Sequence, residues 1–261
     1  MWLLRGYRPC GGGPWAELRT WYAREPGRSL AEAEARLLRE ALEGVFGYHL
    51  VVVGACPAAA GLEGSPIRHR VLVDLDGTAG GAALRAASAG LPLRSDSVDA
   101  LILAHALDFE ADPYEALREA ERVLVPEGHL VVLGFNPLSP WGLRWALARG
   151  PGAPWCGRRL TVGRLHDWLS LLGFQVLATR RAFFRPPVGH PGLLRRLGFL
   201  ERAGRRAWPL LGAVYVVLAR KRVIALTPVR PRWRPRRALV PAGGLAEPTP
   251  RAHRQGRPHA P

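Results

Sequence analysis

The chain has 261 residues and 48% of them are hydrophobic, which is enough for one domain with a sizeable core and appendages. No apolar run approaches the ~20 residues that a membrane-spanning helix needs. Cys10, Cys56 and Cys156 lie far apart, which argues against a structural zinc site and against a disulfide framework. We expect no metal site. We expect a cytoplasmic location, because the chain also begins without a signal-peptide pattern.

The formal net charge of +16 is distributed unevenly. From Arg220 onward the chain has eleven basic residues and one acidic residue, Glu247, whereas residues 1–219 have 26 basic and 20 acidic ones. A basic segment of this kind can bind nucleic acid or another anionic surface. A G+C-rich genome produces the same bias towards Arg, Ala, Gly and Pro, so charge alone leaves both interpretations open.

The first 28 residues are Gly-rich at their start and are interpreted as a loose lead-in to the folded domain. Ser29 and Glu32 have the spacing of a capping box, and apolar residues then recur at helical spacing, which predicts an amphipathic helix. Trp21 and Tyr22 precede this helix. They either pack against the core or contact a substrate.

Two short apolar runs follow the helix, at 49–54 and 70–76. Each has the length and composition of a strand that is buried in a parallel sheet. The first run ends in Gly54 and the second contains Asp74 and Asp76. A weaker strand is predicted at 82–86.

Residues 91–136 are the most informative stretch of the chain. The run from Val98 to Ala104 predicts a strand, Asp112 has the N-cap position of a helix, and a second apolar strand follows at 129–135. Strand, crossover helix and strand of these lengths make a right-handed parallel unit, so the chain is α/β. Ligands of such sheets bind beyond the carboxyl ends of the strands.

The chain then breaks from Asn136 to Trp141, at the end of a strand and over the expected pocket. Loops at this edge carry function, so Asn136 and Trp141 are candidate pocket residues, although Trp141 can equally be packed on the sheet. Thr161 is predicted to cap another helix. Two further strands are predicted at 174–183 and 213–219.

The segment 223–261 is rich in Pro, Arg and Gly, is almost free of periodicity from Thr227 on, and is predicted to be disordered. Arginines flank Trp233, and basic residues around an aromatic ring can bind nucleic acid through phosphate neutralisation and stacking. A solvated basic tail is the alternative.

The stretch 91–136 contains a set of short motifs. They are Leu91-Pro92, Asp96, Asp99, His105, Leu107-Asp108-Phe109, Asp112-Pro113 and the run from Arg122 to Gly128. These motifs resemble those of class I S-adenosylmethionine-dependent methyltransferases, in particular the small-molecule enzymes of the ubiquinone and biotin pathways. The resemblance implies a Rossmann-like, doubly wound α/β fold with a mostly parallel seven-stranded sheet and an antiparallel edge strand. It assigns the methyltransferase-like domain to 29–222.

The cofactor that this resemblance implies is S-adenosylmethionine. Asp74 would accept hydrogen bonds from the two ribose hydroxyls, with Asp76 as a near alternative. The glycine-rich turn of the family is degenerate, because Cys56 and Ala58 replace two of its glycines and Val52 replaces an acid. The implied cofactor residues are Gly54, Ala55, Cys56, Asp74, Leu75, Ser88, Leu91 and Ala104.

The resemblance implies methyl transfer to a small-molecule or lipid-like acceptor that the sequence does not specify. Such chemistry depends on in-line positioning more than on a reactive side chain, so no catalytic triad is expected. His105 is a candidate general base and pocket residue, because histidine has a suitable pKa, but it can equally be a helix-start residue.

The alternative function is a binding module. In that interpretation the domain no longer binds the cofactor and uses its arginine-rich segments to hold RNA or another anionic partner. The degenerate glycine turn favours this alternative, whereas Asp74 and the stretch 91–136 favour the enzyme. Direct measurement of cofactor binding separates the two.

Overall fold

In the computed structural model, the described residues are Tyr7, Cys10, 13–54, 59–77, 82–147 and 154–222. They belong to one unit of the chain, Met1–Ile224. Ala55, Cys56 and the basic tail from residue 223 onward lie outside the described residues. What the sequence indicates about these parts stays a prediction.

The described residues form a seven-stranded sheet in the order β3-β2-β1-β4-β5-β7-β6. Strand β7 runs antiparallel to both β5 and β6, and the other neighbouring pairs are parallel. The sequence prediction of a mostly parallel, Rossmann-like sheet with an antiparallel strand towards one edge is therefore confirmed. The strands are β1 (His49–Gly54), β2 (His69–Asp74), β3 (Leu84–Arg85), β4 (Val98–Ala104), β5 (Leu124–Phe135), β6 (Phe174–Ala182) and β7 (Val214–Lys221).

Helices precede the sheet and connect its strands, and two predicted caps position them. The Asp112 carboxylate accepts the main-chain N–H groups of Tyr114 and Glu115, and the Thr161 hydroxyl accepts that of Arg164. No helix in the described part of the chain is long and apolar enough to cross a membrane. The helices are α1 (Pro14–Tyr22), α2 (Gly27–Leu42), α3 (Ala59–Leu62), α4 (Ala106–Phe109), α5 (Pro113–Val123), α6 (Pro140–Leu147), α7 (Val162–Leu171), α8 (Pro191–Arg196) and α9 (Leu200–Ala207), with a 3₁₀ turn at Leu197–Phe199.

The strand order reverses beside β1, which has β2 on one side and β4 on the other. The register pairs Val53 with Val73 in β2 and with Leu103 in β4. These central strands are buried because helices pack on the sheet, so their side chains are apolar except for His49 and Asp99 near the strand starts. A crevice at the carboxyl ends of β1 and β4 is where a sheet of this topology binds its ligand.

The sequence prediction of a loose lead-in is wrong for α1, which is a regular helix with Trp15 and Leu18 buried in the core. The predicted capping box is also wrong, because α2 begins at Gly27, ahead of Ser29. The Ser29 hydroxyl instead donates to the Glu25 carboxylate at 2.8 Å. Ser29 is therefore paired with Glu25, in the turn before α2, and not with Glu32 as a capping box requires.

The prediction that the cysteines form no disulfide is wrong for Cys10 and Cys156, which are bonded with their Cα atoms 5.2 Å apart. These residues are 146 positions apart in the sequence, and only the fold brings the segment before α1 onto the segment before α7. The cysteines therefore give no support to the predicted reducing compartment.

Candidate cofactor and acceptor site

Gly54 ends β1 at the crevice with a backbone φ of +100°. A Cβ at this position would lie 2.4 Å from the carbonyl oxygen of Ala104, which ends β4 and is fully buried. Both the positive φ and the close approach require glycine. The sheet thus brings two predicted cofactor residues, Gly54 and Ala104, into direct proximity.

Asp74 ends β2, the neighbouring strand, and is 3% exposed. Its Oδ1 lies 3.7 Å from Nη1 of Arg19, whose Nη2 donates to Oδ1 of Asp76 at 2.8 Å. The Asp76 side chain is the more exposed of the two, at 15% against 4%. The position at the strand end and the burial favour Asp74 over Asp76 as the carboxylate that faces the crevice.

The remaining predicted cofactor residues lie on the connection around β3. The Ala86 N–H donates to the Asp74 carbonyl at 3.1 Å, which brings the segment leading to Ser88 beside Asp74. Ser88 is fully buried and its hydroxyl contacts Glu110, whereas the Leu91 N–H donates to Glu119 on α5 at 2.7 Å. Leu75 is partly buried against the core.

Helix α1 covers the crevice, which the sequence did not predict. The Trp15 ring lies 3.4 Å from the position of a Cβ on Gly54 and packs edge-to-face on Phe109, with ring centroids 5.1 Å apart. Arg19 follows one turn later and reaches Asp74. The helical spacing of Trp15, Leu18 and Tyr22 was a sequence signal for this packed helix.

His105 follows β4 with a backbone φ of 55° and is fully buried. Its Nδ1 lies 2.9 Å from Oδ2 of Asp108, and its Nε2 lies 2.9 Å from the Tyr22 hydroxyl and 3.2 Å from Oε1 of Glu34. Tyr22 also donates to Glu34 at 3.0 Å. A histidine that the sequence placed at the pocket therefore joins α1, α2 and α4.

Burial alone lowers the pKa of His105, but the negative charges of Glu34 and Asp108 outweigh it and raise the pKa to about 9. The imidazole is consequently protonated at neutral pH and has no lone pair with which to accept a proton. Arg159 lies 3.9 Å from Asp108 and balances the second carboxylate. This arrangement makes His105 a buried cation, and the general-base role stays a prediction.

Asn136 and Trp141, the predicted pocket residues, line one cleft with Trp155 and Arg159. The Asn136 amide donates to the carbonyls of Leu210 and Gly212 at 2.7 and 2.8 Å. The Trp141 indole donates to the carbonyl of Arg185 at 2.8 Å and lies parallel to the ring of Trp155. Trp141 is therefore packed, at 6% exposed, beside a cavity of about 10 Å³, and its role as a pocket residue stays a prediction.

Comparison with known proteins agrees with this geometry. A family model described as a methyltransferase domain matches residues 63–132. The uncharacterized protein YafS of Escherichia coli K12 is 36% identical over 202 residues, which cover 77% of this chain and 80% of YafS.

Two solved structures have the same fold. A protein of Thermotoga maritima described as an S-adenosylmethionine-dependent methyltransferase and a possible histamine N-methyltransferase is 18% identical with a TM-score of 0.57, over 79% of this chain and 96% of its own. The [4+2]-cyclase SpnF is 18% identical with a TM-score of 0.52, over 84% of this chain and 100% of its own. At this identity both show the fold alone.

The chain belongs to the class I S-adenosylmethionine-dependent methyltransferase family. The cofactor of this family is S-adenosylmethionine. The crevice fits its nucleoside part through Asp74, which provides a buried carboxylate, whereas the space beside Gly54 is filled by the Ala104 carbonyl and the Trp15 ring. The assignment of individual residues to the cofactor stays a prediction.

Proposed function

We propose that this chain transfers the methyl group of S-adenosylmethionine to a small-molecule or lipid-like acceptor. The observation that carries the proposal is the juxtaposition of Gly54 and Asp74 at the carboxyl ends of β1 and β2. A backbone position without a side chain lies beside a buried carboxylate, and this combination suits a ribose with its two neighbouring hydroxyl groups.

The residues of the chain would hold and orient the reactants. Asp74 would accept hydrogen bonds from the ribose hydroxyls, and Gly54 would let the end of β1 lie close to the Ala104 carbonyl at the end of β4, beside the cofactor. Trp15 and Phe109 would keep water out of the crevice, which favours transfer over hydrolysis. The bound cofactor supplies an electrophilic methyl group, so in-line positioning of the acceptor is the main requirement.

The acceptor side of the proposal rests on the cleft that Asn136 and Trp141 line. Its walls are largely aromatic, and the guanidinium of Arg159 stacks on the Phe135 ring with 4.5 Å between Cζ and the ring centroid. These walls suit an acceptor with an apolar body, but the cavity they enclose has a volume of about 10 Å³, so it would have to open to admit one.

The second candidate is a methyltransferase-like domain that binds RNA or another anionic partner instead of the cofactor. One observation favours it, namely that Arg19 lies against both Asp74 and Asp76. An internal cation thus interacts with the carboxylate that the ribose would need. The basic tail would be the contact with the partner.

Calorimetric titration of the full chain with S-adenosylmethionine tests the proposal. Loss of one charge-assisted hydrogen bond weakens binding by about one to two decades, so the degenerate turn predicts a dissociation constant of roughly tens to hundreds of micromolar. Asp74→Ala should weaken binding by at least about tenfold, because it removes the ribose carboxylate.

Asp76→Ala is the matched control, since it removes a neighbouring carboxylate that also contacts Arg19. It should change the affinity by less than about threefold. If the unaltered chain gives neither heat nor a thermal shift at millimolar cofactor, the binding-module alternative replaces the enzyme. If Asp76→Ala is the more damaging variant, the ribose carboxylate is Asp76.

A further inference from the structure

Large apolar side chains are exposed on one part of the surface that the proposed reaction does not use. They lie around α6 and on the segment after α9, and each is 39–72% exposed. We refer to them as the leucine–tryptophan surface. Its members are Leu138, Leu143, Leu147, Trp208, Leu210 and Leu211.

The side chain of Asn136 joins the two segments of this surface. Its Nδ2 donates to the Leu210 carbonyl at 2.7 Å and its Oδ1 accepts the Leu138 N–H at 3.1 Å. Leu211 in turn donates its N–H to the Trp208 carbonyl at 3.0 Å. Leu138 and Leu210 are therefore neighbours in space, and through them the exposed residues of α6 and of the segment after α9 lie on adjoining parts of the surface.

Helix α6 has apolar residues on both of its faces. Trp141 and Trp145, four positions apart, are buried against the cleft, whereas Leu143 and Leu147, also four positions apart, point outward with exposures of 54% and 72%. An ordinary surface helix has a polar outer face. Outward leucines at helical spacing indicate that this face of α6 packs against another apolar surface.

Exposed arginines border the patch. Arg205 and Arg206 are exposed at the end of α9, immediately before Trp208, and Arg196 and Arg202 are exposed earlier on α8 and α9. The sequence from 183 to 222 contains one acidic residue, Glu201, and Arg185 lies 3.3 Å from it. The border of the patch is thus positively charged.

We propose that the leucine–tryptophan surface docks the chain onto an anionic lipid bilayer. Leucines would enter the boundary between headgroups and acyl chains, Trp208 would lie at the interface, and the arginines would contact anionic headgroups. Apolar side chains bordered by arginines, with Glu201 of the same segment paired to Arg185, are the composition that such binding requires.

Other occupants suit this surface less well. A second copy would bring one set of arginines against another, which charge repulsion opposes. The segment 223–261 contains eight arginines and one glutamate, so it too would meet like charge. Nucleic-acid bases would find one ring on which to stack, Trp208, because the other five members of the surface are leucines.

The inference goes beyond the proposed methyl transfer, and it stands on different residues. Asn136 follows the carboxyl end of β5 and lines the cavity beside Trp141, so Leu138 and Leu210 lie next to the proposed acceptor side. Docking would therefore bring the cleft to the membrane surface. Membrane binding is measured without the cofactor, and cofactor binding without membranes, so failure of one leaves the other intact.

Co-sedimentation of the full chain with lipid vesicles tests the proposal. The chain should bind vesicles that contain phosphatidylglycerol, bind phosphatidylcholine vesicles much more weakly, and lose binding as salt is raised. Trp208→Ser, and Leu143→Ser combined with Leu210→Ser, should each weaken binding by about tenfold, because they remove buried apolar area from the membrane contact. Arg205→Gln combined with Arg206→Gln should weaken binding to anionic vesicles only.

Phe46→Ser and Leu171→Ser are the matched controls, because these side chains are 72% and 75% exposed and lie outside the patch. They should leave vesicle binding unchanged. The proposal is overturned if the chain does not bind anionic vesicles, or if the controls reduce binding as much as the patch variants do. A concentration-dependent dimer that the patch variants abolish, seen by sedimentation velocity, would also overturn it in favour of a second copy.

Discussion

Contacts with a few side chains decide the charge of His105. Imidazole on its own would become neutral when buried, yet Glu34 and Asp108 lie within hydrogen-bond distance of its two ring nitrogens. Their charges and hydrogen bonds keep the ring protonated, and Arg159 balances Asp108. The result is a buried cluster of two carboxylates and two cations.

The raised pKa of His105 predicts how stability depends on pH. The pKa is about 9 in the folded protein, against the ordinary histidine value of 6.5 that applies to the unfolded chain. The stabilisation is fully present below pH 6.5 and is lost as the pH rises through 9. The free energy of unfolding, measured by urea denaturation, should therefore fall by on the order of 3 kcal/mol across this window.

His105→Gln should lower the stability and abolish this pH dependence, because it removes the titrating cation. His129→Gln is the control, since burial, with Arg220 nearby, lowers the pKa of His129. A histidine with a lowered pKa affects stability below pH 6.5 only. A slope between pH 6.5 and 9 that persists in His105→Gln would contradict the assignment.

At the scale of elements, α1 is both a packed helix and the cover of the crevice. Its apolar residues, Trp15 and Leu18, attach it to the core, and Arg19 reaches over the ends of β1 and β2 to Asp74 and Asp76. Ribose hydroxyls and the Arg19 guanidinium would therefore compete for the Asp74 carboxylate.

This competition predicts that Arg19→Met strengthens the binding of S-adenosylmethionine by about threefold in calorimetric titration, the effect expected from one partly exposed ion pair. Arg24→Met is the control, because Arg24 is exposed and lies just beyond α1. It removes the same charge and should leave the affinity unchanged. Weaker binding in Arg19→Met would mean that Arg19 itself contacts the cofactor.

At the scale of the whole molecule, the Cys10–Cys156 disulfide links the segment before α1 to the segment before α7. It closes a loop that contains most of the sheet. A cross-link over a long loop stabilises a protein chiefly because it restricts the unfolded chain. The disulfide therefore stabilises the fold as a whole. It also holds in place the segment that leads into α1, the helix that covers the crevice.

Reduction of this disulfide should lower the free energy of unfolding by about 2–4 kcal/mol in urea denaturation with and without reductant. Cys10→Ser should be as stable as the reduced protein and should not respond to reductant. The disulfide would be rejected if reductant had no effect on the unaltered chain.

The basic tail is predicted to add nothing to the stability of the fold. Removal of residues 227–261 should leave the melting temperature nearly unchanged, because this segment has Pro/Arg composition and no apolar periodicity. A decrease of several degrees in calorimetry would mean that the tail packs on the core.

The sequence by itself determined the parts of this protein that depend on local physics. The apolar run from Val98 to Ala104 is a buried strand, and Asp112 and Thr161 cap the helices that follow them. A strand needs only its own composition, and a cap needs only an acceptor a few residues away, so these features can be predicted within a short window. The α/β class and the edge that binds ligand follow from them.

The tertiary structure alone decided which distant residues meet. Glu34 and His105 are 71 positions apart, Arg19 and Asp76 are 57 apart, and Cys10 and Cys156 are 146 apart. No local pattern distinguishes these partners from other acids, arginines or cysteines, because their pairing depends on how α1 and α2 pack across the finished sheet. The cover over the crevice and the charge state of His105 are consequences of that packing.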